Sequence, residues 1–371
     1  MRKLLYMAAV NENSKSVGVW NKIKMQINYL KSQNIQVDFC YVNQKNNLLS
    51  KIRTRVPYTG FYSWIVDRDK VNNTDCVYIR YAGCDYQLIE SLKTMKKINS
   101  SLKILVEIPT YPYDQELKLT FSNAVWILKD RLNRRKLHKY VDYIITYSND
   151  KCIFNIPTMQ LSNAVNSSVI SAKNIALSDS SIHVIAVARF EFWHGYDRFL
   201  KGLYKYYKSA EDNKVNIQLH FVGESTELET YKSLVDDYHL RDHVFFCGTK
   251  VGKEIDEVYD QCEIGLDAMG RHRSGVYYNS TIKGKEYGAK GLPIVSGVKT
   301  ELDADHEYRY YMRVPADESP INIQAVINFY HQIYNTDESK KTIISNIRDY
   351  TRRKFDISIA GKDVVNYIKQ S

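Results

Sequence analysis

The sequence predicts an α/β protein built from two doubly wound, Rossmann-like domains. Three features point there. At 371 residues the chain is longer than a single hydrophobic core usually serves. Short apolar, β-rich runs alternate with helical segments, the pattern of a parallel sheet covered on both faces. That alternation runs twice, and a polar stretch rich in Ser, Asn and Ala separates the two runs.

In the first run, residues 3–10 read as the opening core strand, 17–32 as a helix and 35–42 as a second strand. The rhythm resumes with a strand over 76–81, a helix over 86–97, a strand over 102–108, a helix over 119–140 and a strand over 141–147. The segment 163–180, NAVNSSVISAKNIALSDS, is expected to be the linker, with domains over 1–165 and 181–350. The second run predicts strands over 183–188, 217–222, 243–247, 264–268 and 292–295, with helices over 196–211, 228–238, 254–262 and 280–290 between them. The charged remainder, 351–371, is expected to be helical and to pack back on the domains.

Composition narrows the class. With 44% hydrophobic and 25% charged residues the chain has the balance of a soluble globular protein. No run has the roughly 18 to 20 uncharged apolar residues of a membrane-spanning helix, and the start, MRKLLYMAAVNENSK, lacks the shape of a cleaved leader. Six cysteines without CxxC or Cys/His spacing fit a reducing cytoplasm and no zinc site. The net charge of +10 favours anionic partners, whether phosphorylated substrates, lipid or nucleic acid. No RNA-binding signature supports the last, and no nucleic acid is expected.

Ligands of open α/β sheets bind at the carboxyl ends of strands, so the residues just after each strand carry the interest. After the first strand, NENSKSVGVWNKIKMQ holds Gly18 at a helix start, either a substrate loop or a plain helix cap; the lack of GxGxxG speaks against a nicotinamide site. EIPTYPYDQE combines stiffening prolines with Tyr113, Asp114 and Glu116, the aromatic and acidic groups that engage sugars, or else a rigid turn with its acids in water. In VARFEFWHG, Arg189 offers a guanidinium suited to a diphosphate and His194 a second donor, unless the histidine is a packed residue beside Trp193. FVGES supplies Gly223 and Glu224, for a base or ribose contact or a helix cap at Ser225. NSTIKGKEYGAKGLPIV says the most. Ser280 or Thr281 caps a helix whose amides can face a phosphate, Lys283 adds charge, and Glu286 can accept two ribose hydroxyls.

The last segment resembles the K-x-x-E-Y-x-A-x-G-x-P-x-[VI] signature of the retaining family 4 (group 1) glycosyltransferases of GT-B fold. VARF with WHGYDRFLKGL is similar to that family's phosphate-binding turn, LHFVGES to its donor-base loop, and FCGTKVGKEIDEVYDQCEIGL to the stretch that follows. SVGVWNKIKMQINYL and LSNAVN match more weakly. The resemblance implies two domains facing each other across a cleft. It implies transfer of a sugar, with retention, from a nucleotide-diphosphate donor, UDP above all, to a glycan or lipid-diphosphate-linked acceptor in surface polysaccharide assembly. Arg189, His194 and Glu286 would serve catalysis. Gly223, Glu224, Ser280, Thr281, Lys283 and Glu286 would hold the donor, and Gly18, Tyr113, Asp114 and Glu116 would meet the acceptor. No cofactor or metal is expected, and the DxD-like match Asp303-Ala304-Asp305 lies in a loop.

The chain departs from the family at three points: Tyr278 stands where an earlier glutamate is usual, His194 where a lysine binds phosphate, and Ala188 where a glycine precedes the arginine. Arg271, Arg273 and Lys283 are the candidates to compensate. A GT-B-like partner or regulator without catalysis is the alternative. Finally, FSNAVWILKDRLNRRKLHKY places Phe121, Val125, Leu128 and Leu132 on one helical stripe among many basic residues. Either the stripe faces the core and the basic face is solvated, or the helix rests on an anionic membrane as a peripheral contact.

Overall fold

The computed structural model describes residues 1–13, 17–43, 62–116, 120–175, 180–210 and 214–370. Parts of four expected elements lie outside them: 14–16 of the first loop, 119 at a helix start, 176–179 of the linker and 211 at a helix end. The chain forms two compact units, Met1–Ser162 with Ile357–Ser371, and Asn163–Asp356. Both are α/β with Rossmann-like parallel sheets, as the alternation predicts.

In the first unit, β1 (Arg2–Ala8), β2 (Ile35–Tyr41), β3 (Cys76–Arg80), β4 (Lys103–Ile108) and β5 (Tyr143–Thr146) run parallel, and the hairpin β6 (Cys152–Ile153) and β7 (Ile156–Gln160) extends one edge. The order is β2-β1-β3-β4-β5-β7-β6. All five residues of β3, CVYIR, are buried, because a central parallel strand has both faces covered. The helix α1 (Val17–Ser32) sets Ile23, Ile27 and Leu30 on one face, joined by Val364, Val365 and Ile368 from the returning C-terminus. On the other face, after the short helix α2 (Arg68–Asn72), lies α3 (Tyr86–Ile98) with Leu88, Leu92 and Met95. The helix α4 (Phe121–Arg134) starts at the cap Thr120, whose side chain accepts from the Asn123 amide.

In the second unit six parallel strands, β8 (Ser181–Val187), β9 (Asn216–Val222), β10 (Val244–Phe246), β11 (Ile264–Leu266), β12 (Ile294–Ser296) and β13 (Tyr311–Arg313), take the order β10-β9-β8-β11-β12-β13. The helices are α5 (Asp197–Lys208), α6 (Glu227–Asp237), α7 (Lys253–Gln261), α8 (Ile282–Lys290), α9 (Ile323–Tyr334) and α10 (Lys340–Phe355). One core of aromatic and aliphatic side chains joins strands and helices, with Phe190, Tyr196, Phe221, Tyr231 and Tyr287 buried in it. Edge strand β13 and helix α9 were not anticipated from the pattern.

The break between units falls after Ser162, ahead of the expected linker, and the described part of 163–180 belongs to the second unit. The Val165 amide donates to the Phe355 carbonyl at 3.0 Å and the Lys173 amide to the Lys290 carbonyl at 2.9 Å. Its polar composition reflects a strap that bonds along a surface. At the far end the chain returns to the first unit through α11 (Ile357–Ala360) and α12 (Lys362–Lys369). All six cysteines are free thiols, and among the described residues no helix is long and apolar enough to cross a membrane.

Candidate functional site

The carboxyl ends of β8, β9, β11 and β12 form the candidate site of the second unit, and close backbone packing holds their loops in place. At Gly223, with φ of 129°, a Cβ would overlap the Ala188 carbonyl, so only glycine lets the turn after β9 sit against the turn after β8. Gly195 and Gly270 pack backbone to backbone, which brings the turn after β11 against the 3-10 turn Phe192–His194. The Met269 amide then donates to the His194 carbonyl at 2.6 Å. Arg198, wholly buried, fastens the same loop by donating to the carbonyls of Met269, of Ser319 at 2.8 Å and of Pro315 at 2.9 Å.

Helix α8 enters this ring of loops with its N-terminus. The cap residue is Thr281, but its hydroxyl turns to Asp267, and no side chain caps the helix. The first amides of α8 therefore have no side-chain cap, and the positive end of the helix dipole lies behind them. Ser280, expected as a cap, is engaged elsewhere. Its hydroxyl donates to Glu301 at 2.8 Å and accepts from the Asn163 amide at 2.8 Å, and Lys285 pairs with the same Glu301 carboxylate.

Around that helix start stand Lys283, Glu286, Arg271 and His194. Burial depresses the Lys283 ammonium; Arg271 adds to the effect, while Asp267 and Glu286 oppose it. Lys283 forms no ion pair with any described residue. Burial pushes the Glu286 carboxyl up to about 7, with Lys283 pulling the other way. His194 is buried and held well below the usual imidazole range by that burial and by the charges of Lys283 and Arg271. Its Nδ1 accepts from the Glu191 amide at 2.9 Å, so the neutral ring carries its proton on Nε2. It is thus a neutral donor beside Lys283 and Arg271.

Other expected residues lie differently. Arg189 is largely exposed, 3.8 Å from Glu191, and Glu224 is exposed. Arg273 is fully committed to Asp197 at 2.8 Å and Glu318 at 2.6 Å, which leaves Arg271, over the Trp193 ring, as the arginine near Lys283 and His194. Burial, with Glu301 and Asp303, raises the Tyr278 phenol to about 12. Among the described residues no group of three or more His, Cys, Asp or Glu side chains is placed to hold a metal.

In the first unit, Asp114 pairs with Arg134 at 2.6 Å and Arg131 at 2.8 Å, and Tyr113 donates to Asp130 at 2.7 Å. Both brace a loop. Glu116 is half-buried and its amide donates to the Tyr113 carbonyl at 3.1 Å, while Gly18 is exposed with open space beside it. The larger feature was not foreseen: Glu107, at the end of β4, is fully buried among Arg80, Lys22 at 3.4 Å, and hydrogen bonds from Tyr78 at 2.5 Å, Gln26 at 3.0 Å and Tyr147 at 3.1 Å. Burial alone would raise this carboxyl, but Arg80, Lys22, Tyr78 and Gln26 outweigh it and hold it at about 2. Burial takes the Lys22 ammonium down to about 7, against the pull of Glu107.

The fold of two Rossmann-like units matches that of GT-B glycosyltransferase structures. Over its whole length the chain is similar to solved structures of that class. A glycosyltransferase from Rickettsia africae matches with a TM-score of 0.65 at 12% identity, covering 100% of this chain and 98% of the other. A sucrose-phosphate synthase from Thermosynechococcus elongatus matches with 0.65 at 14% identity, covering 100% and 99%. Anabaena HepE in complex with UDP matches with 0.62 at 12% identity, covering 100% of each chain. Residues 170–266 match the family described as glycosyl transferases group 1. That segment runs from the strap through β11 and stops short of α8. No curated protein sequence matches significantly.

Proposed function

We propose that the protein is a glycosyltransferase that takes a sugar from a nucleoside diphosphate donor, UDP-linked in the first instance, and passes it to a hydroxyl of a glycan or lipid-diphosphate-linked acceptor with retention. The observation that carries this reading is the uncapped N-terminus of α8, with Lys283 on its first turn and Glu286 one turn on. The free amides, Lys283 and Arg271 would receive the diphosphate, the His194 Nε2–H would add a neutral donor, and Glu286 would accept the ribose hydroxyls. Gly223 and Glu224 would lie along the nucleoside, and Arg189, exposed at the rim, would close on the bound phosphates.

In the transfer, the bond from the anomeric carbon to the diphosphate oxygen breaks and negative charge gathers on that leaving oxygen, while the acceptor oxygen bonds the anomeric carbon and passes its proton to the leaving diphosphate. Stabilisation counts most where that charge develops, at Lys283, Arg271 and the α8 amides. A resident metal is not required by this arrangement of cations. Gly18, Tyr113, Asp114 and Glu116 are proposed to meet the acceptor through the loops they shape. An intracellular setting and a role in surface polysaccharide assembly belong to the same proposal.

The reading is tested by following release of free nucleoside diphosphate from UDP-, GDP- and ADP-sugars, with Glu286→Ala as control. Release from one donor, lost in the variant, supports it. Tyr278, in the place of a family glutamate, favours a second reading, a donor-binding partner without turnover. Tight donor binding with no release, under any acceptor supplied, would favour that one.

A further inference from the structure

Two features of the first unit stand outside the proposed transfer. Helix α4 turns Phe121, Leu128 and Leu132 to the surface and buries Lys129, Asp130 and Asn133, which overturns the expectation of a core-facing stripe. The other feature is the charge cluster around Glu107, and it sits where the sheet changes direction. From β1 the chain goes to β2 on one side and β3 lies on the other, so the switch point falls between β1 and β3. Ligands of open α/β sheets bind outside the carboxyl ends of the strands at such a point. Arg80 is the last residue of β3, Glu107 is the last but one of β4, and Lys22 belongs to α1, the helix that follows β1.

The cluster holds one cation more than Glu107 can use. One carboxylate oxygen accepts from Arg80 and from the Tyr147 hydroxyl at 3.1 Å, the other from the Tyr78 hydroxyl at 2.5 Å and the Gln26 amide at 3.0 Å. Four donors fill the acceptor capacity of a carboxylate. Lys22, 3.4 Å from the oxygen that Arg80 holds and with its ammonium 3.7 Å above the Tyr147 ring, adds a second positive charge. Burial raises the phenols of Tyr6, Tyr78 and Tyr147, which stay neutral. Two cations against one anion is a costly excess in an interior unless something balances it. Exposure shows where the balance can come from: Glu107 is 0% exposed, while Arg80 and Lys22 keep 8% and 9%. The cations, and not the carboxylate, reach the surface. We propose that Lys22 and Arg80 form a subsite for a singly charged oxyanion of the acceptor, the carboxylate of an acidic sugar or a phosphodiester, with Glu107 as the fixed counter-charge beneath them. An excess of one charge suits a monoanion better than a diphosphate. Burial, with Arg80 adding to it, lowers the Lys22 ammonium to about 7 against the pull of Glu107, and a bound anion would restore it. That the anion belongs to an acceptor rests on the transferase reading; the subsite itself does not.

The test reads Lys22 itself. In the full chain, isotope-labelled at the lysine Cε, the Lys22 resonance is identified by its loss in Lys22→Met. It is then followed against pH by NMR with glucuronate, with dimethyl phosphate and with sodium chloride at the same ionic strength. At least one of the two oxyanions raises the titration midpoint by roughly one pH unit, a tenfold preference for the charged lysine, and chloride does not. A response to glucuronate assigns the carboxylate, and a response to dimethyl phosphate the phosphodiester. The same anion raises the melting temperature of the wild type and not that of Lys22→Met. A midpoint moved no further by either oxyanion than by chloride, or equal stabilisation of wild type and variant, overturns the proposal. The readout is independent of the donor site, so a failure to bind UDP would sink the transferase reading and leave this subsite standing.

Discussion

The Tyr287 hydroxyl accepts the Val187 amide proton at 2.9 Å and donates to the Leu266 carbonyl at 3.2 Å, so one side chain of α8 ties together the ends of β8 and β11. The site loops diverge from those two strand ends. Gly265 in β11 lies directly against the Tyr287 ring, where a Cβ would collide with it. The tyrosine thus sets the height at which the uncapped end of α8 meets the loops. Tyr287→Phe is predicted to lower unfolding free energy by about 1–2 kcal/mol, because it strands the part-buried Val187 amide, while the Leu266 carbonyl keeps the Tyr196 hydroxyl at 3.0 Å. Chemical denaturation measures the loss, and donor affinity should weaken in the same variant.

Glu286 makes binding depend on pH. Its carboxyl is raised from 4.5 to about 7 in the ligand-free fold, first by burial. Stability owed to the protonated acid is present below about 4.5 and is lost as pH rises through about 7. Donor binding runs the other way, since ribose hydroxyls donate to the carboxylate and need it ionised. Affinity measured by calorimetry should therefore fall as pH drops below about 7, approaching tenfold per pH unit, and Glu286→Gln should flatten the profile.

Arg271 and Arg273, two residues apart in sequence, should separate cleanly. Arg273 is spent on Asp197, Glu318 and the Phe192 carbonyl at 3.0 Å, so Arg273→Ala should lower stability by about 1–2 kcal/mol and weaken donor affinity less than Arg271→Ala does. Arg271→Ala should weaken the nucleotide by roughly tenfold to a hundredfold.

The buried cluster of the first unit predicts an asymmetry. Removing the one anion, by Glu107→Gln, leaves Arg80 and Lys22 uncompensated in the interior and should cost about 3 kcal/mol or more. Lys22→Met, which leaves the Arg80–Glu107 pair intact, should cost less than about 1 kcal/mol. Denaturation of the two variants under one set of conditions compares them.

The strand and helix order was legible because buried parallel strands must be apolar throughout and their helices amphipathic. That Lys283 and Glu286 share one helix was legible too. Partners supplied from far along the chain were not. Glu301 claims Ser280 from 21 residues away, Asp267 claims Thr281 from 14, and Glu318 claims Arg273 from 45. Each takes a polar group whose local context suggested a ligand contact. Rotation of α4 was equally hidden, because periodicity shows that a helix has two faces and is silent on which one turns inward. Asp130 decides that through Tyr81 and Tyr113, which lie 49 and 17 residues before it.

Calorimetric titration of the intact chain with UDP, UDP-sugars and uridine, repeated on Lys283→Ala, tests the donor site most directly. Saturable binding of UDP and one UDP-sugar, absent for uridine and weakened roughly tenfold to a hundredfold in the variant, is the predicted result. Equal affinity for UDP and uridine, or a variant that binds UDP as the wild type does, would contradict the assignment of the diphosphate to the start of α8.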